Sequence, residues 1–186
     1  MTTPKPTGKL VNGSEGLDLV VTRTLPGSVY DAWASITEPE RTARWVGRWE
    51  GTGAVGETIR VQMGFEEGAP WEDVEITECD APHRLGLRTI SEQGAWDVSF
   101  ELSEDGERSE IRFVHHRVAA AEVGDVGPGW EYYLDALVAS RDGRPMPDFD
   151  DYYPAMEPYF AQHKEVGTGR TGHGPRRALD GLGRCW

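Results

Sequence analysis

Between Trp96 and His115 the chain alternates apolar and polar residues on both sides of an Asp-Gly dipeptide. Trp96, Val98, Phe100 and Leu102 precede Asp105-Gly106, and Ile111, Phe113 and His115 follow it. A strand repeats every two residues, so each set falls on one face, and Asp-Gly supplies the positive φ that a two-residue hairpin turn needs. The pattern predicts a β-hairpin with one buried face. With Asp105 and Gly106 as the turn, Leu102 faces Ser109, Phe100 faces Ile111, Val98 faces Phe113 and Trp96 faces His115. One imidazole then sits on an otherwise apolar surface beside an indole.

The flanking segments extend this hairpin into a sheet. Leu17, Leu19 and Val21 alternate with polar residues as a first strand. Pro26-Gly27-Ser28 opens a short helix with Val29, Trp33 and Ile36 on one face, and Thr37-Glu38-Pro39-Glu40 reads as a capping box for a second that ends near Trp45. Period-two segments then run over 46–52, 57–63, 71–78, 84–90, 96–102 and 110–117, joined by glycine- and proline-containing turns. A final helix starts near Asp125 or Pro128, with Trp130, Tyr133, Leu134, Leu137 and Val138 at helical spacing, Glu131 and Asp135 on the wet face, and Gly143 as its C-terminal cap. A run of antiparallel strands needs one face covered, and this helix is the only element large enough to do so. The expected fold is α+β: a curved antiparallel sheet of six to seven strands wrapped around a long C-terminal helix, with two short helices after the first strand. Where a curved sheet stands off from a helix, the gap can become a cavity.

Composition sets limits on what such a domain binds. The net charge is −13, and residues 1–160 hold 14 basic and 30 acidic side chains against 5 and 2 in residues 161–186. A body that acidic repels phosphate backbones and anionic lipid, so neither nucleic-acid binding nor membrane insertion is expected. There is no apolar leader at the N-terminus, and Cys79 and Cys185 are too far apart in sequence to suggest a disulfide framework, so the cytoplasm is the expected location. Cys79 reads as a packed small side chain. Residues 1–16 read as an N-terminal extension, 17–143 as the folded domain, 144–160 as an aromatic and proline-rich extension, and 161–186 as a flexible glycine-rich basic tail.

The order of elements and several local motifs resemble the START-like (SRPBCC) superfamily, whose helix-grip fold is a helix held by a curved antiparallel sheet. Within it the chain is similar to bacterial members of the activator-of-heat-shock-protein-90-ATPase homologue family. The likeness rests on Val21-Thr-Arg-Thr-Leu-Pro-Gly-Ser-Val-Tyr-Asp-Ala-Trp33, Glu38-Pro-Glu-Arg-Thr-Ala-Arg-Trp45 and Gly56-Glu-Thr-Ile-Arg-Val61. It rests also on Ile111-Arg-Phe-Val-His-His116 and Gly129-Trp130 leading into Leu134-Asp-Ala-Leu137. The resemblance implies an apolar cavity for lipids, polyketides or other hydrophobic molecules. It implies a container rather than a particular reaction, since one fold hosts many activities. The eukaryotic co-chaperone depends on a further domain for which this chain has no room, so an ATPase-activating role is not expected.

Other motifs carry less. Gly51-Thr-Gly53-Ala-Val-Gly56 matches G-x-G-x-x-G, but the alternating Glu57–Met63 that follows is a strand pattern, without the helix N-terminus that binds pyrophosphate, so no nucleotide cofactor is expected. His115 and His116 point to opposite faces and cannot chelate one ion, and Asp148, Asp150 and Asp151 lack the glycine of a calcium loop, so no metal is expected either. The expected pocket wall is Trp96, Val98, Phe100, Phe113 and His115 from the hairpin, faced by Trp130, Tyr133 and Leu137 from the helix. His115 reads as a hydrogen-bonded core histidine, as a group that orients a ligand with Tyr133, or as the general base of a cyclase- or hydrolase-like enzyme. No second acid–base group is visible beside it, so binding of a small hydrophobic molecule is expected ahead of catalysis. A third reading is a protein-interaction module, with a partner or second copy bound through residues 145–160.

Overall fold

The computed structural model describes residues 4–90 and 96–162. An eight-stranded antiparallel sheet is built from β1 (Lys9–Asn12), β2 (Leu17–Pro26), β3 (Trp49–Glu50), β4 (Thr58–Gln62), β5 (Trp71–Asp80), β6 (Arg84–Ile90), β7 (Asp97–Asp105) and β8 (Arg108–His116). Its spatial order is β1-β2-β8-β7-β6-β5-β4-β3. Helices α1 (Val29–Thr37) and α2 (Pro39–Thr42) follow β2, and the long α3 (Val123–Asp142) follows β8. A short 3₁₀ turn over Phe149–Asp151 and helix α4 (Glu157–Ala161) complete the described chain. This is the expected helix-grip arrangement, with the strand count raised by the edge strands β1 and β3.

Pairing aligns the inward side chains in rows across the sheet. Leu19, His115, Val98 and Leu87 form one row; Val21, Phe113, Phe100 and Leu85 form the next; Arg23, Ile111 and Leu102 form a third. The first two rows and the apolar side of α3 enclose the core, where Leu19, Val21, Phe113 and Leu137 are wholly buried. Ser28 caps α1 by accepting a hydrogen bond from the Asp31 amide at 3.3 Å. Gly143, at φ +64°, ends α3.

Several expectations are corrected. Asp105 pairs with Arg108, so the hairpin turn is Gly106-Glu107, with Gly106 alone at positive φ (+62°). Every partner moves by two positions: Leu102 pairs with Ile111, Phe100 with Phe113 and Val98 with His115. A two-residue slip leaves each side chain on its face, which is why the buried set survives the shift. The strand expected over 46–52 contracts to Trp49–Glu50, and Thr37 closes α1 instead of capping α2. Cys79 packs against the core as expected, but it is disulfide-bonded, where no disulfide was expected. Cys185 and the tail expected over 161–186 lie, but for residues 161 and 162, outside the described residues.

The larger correction concerns Glu131 and Asp135. Glu131 is fully buried and accepts hydrogen bonds from the Gly8 amide (2.6 Å), the Thr7 hydroxyl (3.0 Å) and Arg23 (2.5 Å). Asp135 accepts from Arg23 Nε at 2.6 Å and from the Tyr152 hydroxyl at 2.8 Å. This face of α3 is roofed by the segment 144–160, whose Tyr152, Met156 and Phe160 are buried. Phe160 packs against Gly127 and Gly8, so closely that a Cβ at Gly127 would stand 2.6 Å from the ring. The aromatic extension therefore packs on α3 and on the segment leading into β1.

Candidate functional site

The register and the helix bring most of the expected wall together. In α3, Trp130, Tyr133 and Leu137 recur at spacings of three and four and so share one face, from which Trp130 reaches the hairpin. The Trp130 ring lies 4.4 Å from Phe113, 5.5 Å from Trp96, 6.0 Å from His115 and 6.3 Å from Tyr133, measured between centroids. Phe100 meets Phe113 edge-on at 5.3 Å. Val98, Phe100, Phe113 and Leu137 are buried. Trp96, one residue before β7, is 40% exposed and forms the rim; its carbonyl accepts from the Thr89 amide at 2.9 Å and its amide donates to the Thr89 hydroxyl at 2.8 Å.

His115 is 4% exposed among these rings, and its Nδ1 accepts a hydrogen bond from Trp130 Nε1–H at 3.2 Å. An indole nitrogen can only donate, so Nδ1 carries the lone pair and the neutral ring holds its proton on Nε2. Burial, reinforced by neighbouring His116 and only partly offset by Asp18 and Asp97, lowers the pKa of His115 to about 4. At neutral pH it is an N–H donor and a poor base. His116 points to the other face, against Ser99 (2.8 Å) and Asp18 (3.4 Å).

Tyr133 donates to Glu66 Oε1 at 3.1 Å, fastening the β4–β5 loop to α3. Burial, with the Glu66 carboxylate adding to it, pushes its phenol pKa upward. Glu66 was not legible beforehand, because a Glu-Glu pair in a glycine-flanked loop signals only solvent exposure. Leu19 and Leu87, which flank His115 and Val98 in the first row, follow directly once the register is set.

Two surface concavities lie elsewhere among the described residues. One, of about 140 Å³, is lined by Asp31, Ser35, Arg41, Arg44, Ser140 and Arg141; the other, of about 280 Å³, lies over Thr7, Lys9, Val20 and Thr22. At the G-x-G-x-x-G segment, Gly56 leads into strand β4, so the helix that motif requires is replaced by a strand. No described helix is long and apolar enough to cross a membrane.

No curated protein matches this chain in sequence. Among solved structures, the fold is similar to CalU16 from Micromonospora echinospora, with a TM-score of 0.70 at 20% identity, covering 87% of this chain and 98% of that one. It is similar to the protein encoded by BPP1335 from Bordetella parapertussis, with a TM-score of 0.65 at 22% identity over 96% and 100% of the two chains. It is also similar to the Aha1 dimer from Colwellia psychrerythraea, with a TM-score of 0.57 at 16% identity over 66% and 94%. At these identities the likeness shows the fold alone. The family described as Activator of Hsp90 ATPase homolog 1-like protein matches residues 26–140, and the chain belongs to that family.

Proposed function

We propose that the protein binds a small, largely apolar aromatic molecule between the β7–β8 hairpin and α3, with Trp96, Val98, Phe100, Phe113, His115, Trp130, Tyr133 and Leu137 as its wall. The observation that carries this reading is the Trp130–His115 hydrogen bond. It sets the imidazole as a donor, and among the described residues no acceptor engages the Nε2 side. A ligand carbonyl, ether or phenolic oxygen is the natural complement, with its rings against Trp96 and Trp130. The binding energy comes from removing apolar surface from water, about 25 cal/mol per Å². Entry requires Trp96 to swing out, because the rings at present meet one another.

The same bond argues against the enzymatic alternative. A general base at His115 needs a free lone pair and a pKa near the working pH. Here the lone pair is engaged by Trp130 and the pKa lies at about 4.

Titration with flavonoids, polyketide-like aromatic ketones and long-chain fatty acids, followed by tryptophan fluorescence, tests the proposal. Oxygenated aromatics are expected to quench saturably and more tightly than fatty acids. His115→Phe is expected to weaken them about tenfold, the value of one hydrogen bond. Absence of a saturable change across all three classes would sink the reading.

A further inference from the structure

We infer that the pocket between α1, α2 and the C-terminal end of α3 is a binding site for a small oxyanion, a phosphate group above all. It stands apart from the aromatic site and does not depend on it. Three arginines, Arg41, Arg44 and Arg141, line a concavity of about 140 Å³ together with a single carboxylate, Asp31, and two serines. On a chain of net charge −13, that concentration of cations runs against the general field.

The local ion pairs account for part of the positive charge. Asp31 is shared, bonded to Arg41 Nη1 at 2.7 Å and to Arg141 Nη2 at 2.6 Å, and its carboxyl is held below its ordinary pKa chiefly by Arg41. Glu38 takes the Nε of Arg41 at 2.8 Å. Arg41 is left with its Nη2 donors, and the Arg44 guanidinium makes no ion pair or hydrogen bond among the described residues.

The innermost cation is also incompletely satisfied. The Arg141 side chain is only 10% exposed; its Nη1 donates to the Asp31 carbonyl and to Ser35 Oγ, and its Nη2 to the Pro26 carbonyl and to Asp31. Its Nε–H is buried with no acceptor among the described residues. Buried donors are rarely left so. The site thus presents unspent guanidinium donors from three residues around a space too small for a large ligand. Planar, forked donors of this kind match the oxygens of phosphate. The acceptor that the chain does not supply is the ligand.

The test uses the full-length protein at constant ionic strength in chloride, titrated at low millimolar concentration with inorganic phosphate or with a phosphate monoester of a small alcohol. Melting temperature and the ¹⁵N-resolved Arg Nε–H signals are the readouts. At tenfold excess over Kd, a bound anion raises the melting temperature by about 3–6 °C. Tighter binding of the monoester marks a pendant phosphate as the ligand, and tighter binding of inorganic phosphate marks the free ion; either supports the site. Arg44→Gln, which breaks no side-chain hydrogen bond or ion pair among the described residues, is expected to melt like the parent without phosphate and to lose at least tenfold in affinity. A phosphate response absent from the parent, or unchanged in Arg44→Gln, overturns the proposal.

Discussion

A histidine held neutral by its surroundings leaves a mark on stability that a surface histidine does not. His115 titrates at about 4 in the folded chain, against an ordinary value of 6.5. Below pH 6.5 the unfolded chain therefore binds a proton that the folded one refuses. Stability is at its full value above that pH, falls as pH drops from 6.5 toward 4, and levels off beyond, a loss of about 3 kcal/mol from this group. Urea unfolding at a series of pH values is expected to show that slope, and His115→Phe is expected to flatten this part of the curve. A slope unchanged in the variant would show that other groups carry it. That a polar group would stand among the aromatics was legible from the alternation of the hairpin. Its tautomer was not, because the donor that sets it, Trp130, lies on another element.

At the scale of elements, α3 is held from two sides by different means. On one face it offers large rings; on another, Gly124 and Gly127 let α4 approach until Phe160 packs against Gly127. Gly127→Ala is expected to destabilise by about 1–3 kcal/mol through overpacking, despite alanine's better helix propensity. Phe160→Ala is expected to cost about 3–5 kcal/mol through the cavity it leaves. In the double variant the two costs should not add, because the clash disappears with the ring, and denaturant midpoints for the four proteins measure that coupling. Additive costs would mean that the two residues do not touch. The sequence period marked α3 as a helix and picked its sheet-facing side. It misplaced the other side, since glycines and acidic residues at helical spacing look the same whether they meet water or a packed segment.

In the whole molecule, distant parts of the chain converge on one buried carboxylate. Glu131 gathers Thr7 and Gly8 from the N-terminal segment and Arg23 from β2, while Asp135 on the next turn links Arg23 to Tyr152 of the C-terminal extension. Removing one partner of a buried pair strands the other, so Glu131→Ala is expected to cost about 3–5 kcal/mol. It should also release the Thr7 and Gly8 amides to hydrogen exchange well before the central strands open. Protection at those amides unchanged from the parent would refute the link. The contacts of Thr7, Gly8 and Arg23 with α3 span more than a hundred positions and include a backbone donor, so no local pattern announces them. They have a practical corollary for anyone trimming the protein. A fragment cut to residues 26–140, the span shared with the family, discards Thr7, Gly8, Arg23 and Tyr152 together and leaves an orphaned charge inside its own longest helix. The smallest piece that kinship delimits is thus smaller than the smallest piece that electrostatics will let stand alone.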